Sequence, residues 1–166
     1  LLLEAMKSAE TKNFHVVLLG EPTFGEGEDY YEQMQHFIQS NGLEDRVHIR
    51  PFMNDPQVFY KAIDWFVMAT KAETFGMVTI ESLACGTPVL GSNAGGTPEI
   101  LDHERGGLLF NSLDAADLAK KIDRICNENI RKSPETLQKM ARKYDHNKVC
   151  QQVEKSLELN TNNESA

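Results

Sequence analysis

The sequence predicts a doubly wound α/β domain, a parallel sheet with helices on both faces, and three observations carry that prediction. Short apolar runs rich in valine, isoleucine and phenylalanine alternate with longer segments of helical period, the order that strand–helix–strand units produce. Glycines stand where helical segments stop, in 40–42 (SNG) and 84–86 (ACG), at positions that call for a left-handed cap. A chain of 166 residues, 40% of them hydrophobic, can build one proper core, and no internal repeat or linker divides it.

In order, a helix over 1–9 leads to a strand at 14–20 (FHVVLLG), and a helix over 28–40 leads to a strand at 46–50 (RVHIR). Helix 56–63 precedes strand 64–69 (DWFVMA), and helix 76–85 precedes strand 88–91 (PVLG). A short helix at 97–101 comes before strand 107–110 (GLLF), with Thr97 as its N-cap and Pro98 at the first helical position. Beyond that strand only helices are predicted, over 115–128, 133–144 and 147–159, and the tail 160–166 (NTNNESA) is expected to fray. The domain is therefore read as 1–159. The chain opens on LLLEAMKSAE, inside a helical pattern and without an initiator methionine, which reads as part of a longer polypeptide.

A net charge of −8, from 25 acidic and 17 basic residues, argues against a nucleic-acid surface or an anionic-membrane anchor. Any anionic ligand must then be held by local devices. Cys85, Cys126 and Cys150 form no disulfide framework or metal-ligand pattern, and the five histidines show no pairing at helical spacing. A reducing, cytoplasmic setting fits this cysteine usage, and no apolar run approaches the ~20 residues of a membrane span.

Ligands of doubly wound sheets bind beyond the carboxyl ends of the strands, where three loops fall: 20–27, 70–76 and 92–96. The first, GEPTFGEG, matches no phosphate-binding fingerprint and reads as a turn. The second opens the segment ETFGMVTIESLACGTP, in which Glu81 poses a question. With about 100° per residue, Met77, Val78, Ile80, Leu83, Ala84 and Cys85 form a broad apolar arc around Glu81, and only Thr79 and Ser82 lie opposite. On that pattern Glu81 is buried, and a buried carboxylate needs a specific partner.

Glu73 lies in the loop before the helix and Glu81 on its second turn, with the backbone N–H groups of Phe75, Gly76 and Met77 between them at the positive end of the helix dipole. Carboxylate, anion site and carboxylate complement the hydroxyls, diphosphate and hydroxyls of a nucleotide sugar. Simpler accounts stand beside this one. Glu81 could pair with a neighbouring helix or sit on a helix nearer to solvent than its pattern suggests, and Glu73 could simply favour the helix N-terminus.

The segments LLLEAMK, FHVVLLGE, NGLEDRVHIRPFMND, VFYKAIDWFVMAT, ETFGMVTIESLACGTPVLGSNAGGTPEIL and GGLLF follow one another as in the C-terminal domain of the group 1, or family 4, retaining glycosyltransferases. The resemblance covers nearly 1–124. It implies one Rossmann-like half of a GT-B fold, acting as the donor-binding part of an enzyme that moves a sugar from a nucleotide diphosphate to an acceptor. It further implies that Glu81 binds the ribose, that Glu73 lies by the transferred sugar as the catalytic candidate, and that Thr74, Phe75, Gly76 and Met77 hold sugar and phosphate. Arg50, Pro51 and Phe52 would pass the nucleobase, although a strand end followed by a proline turn explains Arg50 equally well.

No metal or other cofactor is implied, the nucleotide sugar being a substrate. The strand and basic loop that open the family's domain, with an Arg and a Lys for the diphosphate, would precede Leu1, as would the acceptor-binding domain and any membrane contact. A sheet beginning at Leu1 would lack that strand, which the resemblance places centrally. Lys61 and Lys71 are the nearest cations in sequence and read as solvated surface lysines. The rival classes are a GT-B-like nucleotide-sugar epimerase, which would need acid/base groups around the sugar beyond Glu73, and a non-catalytic nucleotide-sugar-binding module.

Overall fold

The computed structural model describes residues 1–21, 26–71, 76–145, 147–149 and 151. Its strands are β1 (Val16–Leu19), β2 (Val47–Arg50), β3 (Phe66–Met68), β4 (Val89–Ser92) and β5 (Gly107–Phe110). Its helices are α1 (Leu2–Ser8), α2 (Glu26–Ser40), α3 (Pro56–Ala62), α4 (Met77–Ala84), α5 (Thr97–Ile100), α6 (Ala115–Asn127) and α7 (Pro134–Ala141), the last continued by a 3-10 turn at Arg142–Tyr144. Residues 147–149 and 151 are helical. The remainder of the helix expected over 147–159, and the tail, lie outside the described residues.

All the strand pairs are parallel, and side chains alternate between the two faces as a pleat requires. On β4 and β5, Leu90, Leu108 and Phe110 pack with Ala5 of α1, Ala9 just after it, and Leu118, Ala119 and Ile122 of α6. Met68 of β3 and Val89 of β4 face the other way, onto Ile80 and Leu83 of α4, Ile100 of α5 and Leu137 of α7. A third cluster joins Val16 and Val47 of β1 and β2 to Met6 of α1 and Ile38 of α2. Helices thus cover both faces, which makes the domain doubly wound, as expected.

Local chemistry starts and stops the helices. The Asp55 carboxylate accepts from the Gln57 N–H at 3.1 Å to begin α3, and Asp114 accepts from Ala116 and Asp117 at 3.0 and 2.9 Å to begin α6. Gly42 and Gly86, at φ 62° and 84°, are the left-handed stops read from the sequence. Thr97 is not the cap expected for α5. Gly96 holds that position without a side-chain bond, and the Thr97 methyl instead fills the space above Gly91, where a Cβ would lie 2.5 Å from it.

The strands do not form one sheet. β1 and β2 pair in one, β3, β4 and β5 in another. Between them lies a cavity of about 850 Å³, lined by Val16 to Leu19 of β1 on one side and Phe66 and Val67 of β3 on the other. Among the described residues no ladder joins β1 to β3, and a slot lined by both separates the two sheets.

Candidate functional site

Parallel pairing brings the carboxyl ends of β3 and β4 to one rim of their sheet, and the loop after β3 leads into α4. Glu73, Thr74 and Phe75 lie outside the described residues; Gly76 and Met77 do not. Gly76 adopts φ 64° and ψ 48° as the residue before the helix, with no side-chain cap, a conformation that glycine takes without steric penalty. The first turn of α4 also carries no acidic residue, so nothing acidic there offsets the positive end of the helix dipole.

The face that α4 buries is not the one expected. Thr79, Ile80, Ser82 and Leu83 are buried, whereas Met77 is 56% and Val78 37% exposed. Ala84 is exposed, and Glu81 and Cys85 are half-buried. The apolar arc around Glu81 is therefore split: Met77, Val78 and Ala84 face outward, while Ile80 and Leu83 face the core together with two small hydroxyl residues. Position on the wheel misled for Thr79 and Ser82, whose small side chains are buried beside Ile80 and Leu83, while Met77 and Val78 lie on the rim.

Glu81 nevertheless has a partner. The hydroxyl of Tyr60, a residue only 4% exposed on α3, donates to Glu81 Oε2 at 3.1 Å. Burial first, then the hydrogen bond to Glu81 and its charge, push the Tyr60 phenol well above its ordinary value. Around this pair runs a closed circuit. The Thr87 hydroxyl donates to the Tyr60 carbonyl at 2.7 Å, and the Ser82 hydroxyl donates to the Thr87 carbonyl at 3.0 Å. The CGTP stretch after α4 thereby ties α3 to the helix that carries Glu81. Sequence reasoning missed Tyr60; its signal was a lone hydroxyl-bearing ring within VFYKAIDWF, at the buried position of a short helix.

Four more hydroxyls, those of Thr70, Thr79, Ser92 and Thr97, are buried without a hydrogen-bond partner among the described residues. Thr70 follows β3, Ser92 ends β4, and Thr79 and Thr97 lie in the first turns of α4 and α5. Buried polar atoms normally find partners, and these gather by sequence position around the carboxyl ends of β3 and β4.

Arg50, Pro51 and Phe52 stand exposed at the end of β2, Phe52 at 70%. The Arg50 guanidinium folds back to donate to the Ile49 carbonyl at 3.0 Å, in keeping with the simpler strand-end account. Lys61 and Lys71 are exposed, and Lys61 lies close enough to Cys85 to oppose the upward push that burial gives its thiol. Among the described residues no group of three or more His, Cys, Asp or Glu side chains could hold a metal, and no helix is long and apolar enough to cross a membrane.

A doubly wound domain with a glycine-started helix and a hydrogen-bonded carboxylate near the carboxyl ends of its strands has an architecture that nucleotide-binding α/β domains share. Residues 1–144 match the model of the glycosyl transferases group 1 family, and the chain belongs to that family.

Its relatives agree. It is 36% identical over 92 residues to a D-inositol 3-phosphate glycosyltransferase of Paenarthrobacter aurescens, covering 54% of this chain and 22% of the relative. With an uncharacterized glycosyltransferase of Methanocaldococcus jannaschii it shares 29% identity, over 95% of this chain and 43% of the relative. Among solved structures, Anabaena HepE in complex with UDP superposes with a TM-score of 0.83 at 29% identity, over 95% of this chain and 44% of that one. The sucrose-phosphate synthase of Thermosynechococcus elongatus superposes at 0.74 with 28% identity, over 85% and 37%. The chain spans less than half the length of each of these proteins. The fold neighbours are glycosyltransferases, which favours transfer over the epimerase and binding-module alternatives.

Proposed function

We propose that this chain is the donor-binding half of a retaining glycosyltransferase that passes a sugar from a nucleotide diphosphate to an acceptor. The observation that carries the reading is Glu81, a half-buried carboxylate one turn beyond the N-terminus of α4, with Tyr60 as the donor that the described residues give it. One of its oxygens is occupied and the other is left to accept from the vicinal hydroxyls of a ribose. The diphosphate lies at the N-terminus of α4, by the amides of Thr74, Phe75, Gly76 and Met77. Negative charge that develops on the departing diphosphate is stabilised there, where the dipole is already oriented.

Glu73 lies by the transferred sugar and acts on it, and the nucleobase passes the backbone of Arg50, Pro51 and Phe52. The reading is supported by neighbours solved with UDP and with UDP-glucose. No metal is assigned to the transfer. The acceptor site belongs to the rest of a longer polypeptide, whose strand upstream of Leu1 fills the slot between β1 and β3 and whose basic loop adds cations to the diphosphate. The free thiols of Cys85 and Cys126 support a reducing, cytoplasmic setting.

Titration of the chain with UDP, followed by calorimetry, tests this function. Binding that weakens at least tenfold in Glu81→Ala supports it; equal affinity in the two proteins removes Glu81 from the site and the reading with it.

A further inference from the structure

The Tyr60–Glu81 contact is unusual in what surrounds it. Tyr60 makes its remaining contacts through its ring and its backbone: the ring packs edge-on against Phe66 at 5.4 Å and against Phe59 at 5.9 Å, and its carbonyl receives the Thr87 hydroxyl. The phenolic oxygen donates to Glu81. The ring is therefore anchored without the hydroxyl, and the hydroxyl is delivered to a fixed point beside the carboxylate.

A glutamate side chain on a half-open helix face has several rotamers of similar energy. Its ligand must then select one, which weakens binding by the fraction of time the others are occupied. A buried donor at 3.1 Å from Oε2 removes that freedom before the ligand arrives. We propose that Tyr60 is a positioning residue for Glu81, one that holds the carboxylate in the orientation that meets the ribose hydroxyls of a nucleotide and so sets the discrimination between ribose and deoxyribose. The proposal rests on the role given to Glu81 above. Thr87 completes the device by fixing the Tyr60 backbone from the loop that ends α4.

Tyr60→Phe is a clean probe, since it deletes one oxygen and keeps every ring and backbone contact. Binding of UDP and of 2′-deoxy-UDP is measured for the unaltered chain, for Tyr60→Phe and for Glu81→Ala, with thermal melts alongside. The expected result is that Tyr60→Phe weakens UDP about 5- to 10-fold, as loss of an orienting partner does, while 2′-deoxy-UDP changes less than about twofold. Equal weakening of both nucleotides makes Tyr60 a general structural residue and overturns the proposal. So does an unchanged UDP affinity in Tyr60→Phe when Glu81→Ala loses binding, an outcome that leaves the role of Glu81 standing. If Glu81→Ala is itself silent, the ribose assignment fails first and this inference falls with it.

Discussion

A Cβ placed on Gly107, the first residue of β5, would come within 1.7 Å of the carbonyl oxygen of Val89, its register partner on β4. The obstacle is backbone, so no change of rotamer admits a methyl group. Gly42 has the opposite problem, a left-handed φ of 62° with open space around it. Gly107→Ala is expected to lower stability by about 2–4 kcal/mol through displacement of β5, and Gly42→Ala by about 1 kcal/mol through backbone strain alone. Urea denaturation of the two variants side by side checks the β4–β5 register, which is wrong if Gly107→Ala is the milder.

Glu81→Ala bears on stability as well as on ligand. From sequence, removal of a buried carboxylate should leave the fold unharmed or strengthened. The structure reverses that sign, because the variant strands the buried Tyr60 hydroxyl without its acceptor. A loss of about 1 kcal/mol is expected, and the double variant with Tyr60→Phe should recover most of it. Denaturation of the three proteins gives the coupling directly.

Alkaline pH offers an independent view of the same pair. The Tyr60 pKa is raised by burial and by Glu81, so the folded state favours the neutral phenol. That contribution is fully present below the ordinary phenol value near 10 and is lost as pH rises beyond it. The unaltered chain should therefore lose stability above about pH 10 more steeply than Tyr60→Phe. Ultraviolet titration should show a late phenol that the variant lacks.

Glu73 calls for a different measurement, made in the full polypeptide that carries an acceptor domain. As a group that addresses the sugar rather than the nucleotide, it should lower kcat when changed to Gln, by about 10²-fold or more, with UDP affinity held. Loss of UDP affinity equal to that of Glu81→Ala would place Glu73 against the nucleotide instead.

The slot between β1 and β3 makes a prediction about length. Extending the chain upstream by the strand and basic loop should raise both the melting temperature and the affinity for UDP, since parallel strands are stable only when both edges and both faces are covered. A 166-residue chain that melts as high and binds as tightly as the extended one would show that the slot is not a strand site.

Most of the framework was legible because hydrophobic period and helix stops are local properties. All five strands lie at or within two residues of their expected places, and the glycine stops at Gly42 and Gly86 hold the conformations their positions demanded. What escaped depended on distance in sequence. Which face of α4 turns inward is set by what the sheet and α7 press against it, so Thr79 and Ser82 could not be told from solvent-facing polar residues. Thr97 was read as a cap because its methyl contact with Gly91 is invisible from order alone. Tyr60 lies 21 residues from Glu81, and only the packing of α3 on α4 unites them. Glu73, Thr74 and Phe75 rest on the resemblance alone.

One helix ties the two sheets together. Ala5 of α1 and Ala9 at its C-cap belong to the cluster over β4 and β5, and Met6 belongs to the cluster over β1 and β2, while the Asp123 carboxylate of α6 takes the Glu10 and Thr11 N–H groups at 3.0 and 2.8 Å. With no ladder running across the slot, unfolding of one sheet is communicated to the other chiefly through this helix and its turn. The coupling between the sheets thus runs largely through the first fourteen residues, from α1 to Phe14, which packs against both clusters. Hydrogen exchange at β1 and β2 can then proceed by local opening, at a free energy below that of the β3–β5 half, whenever α1 lifts away.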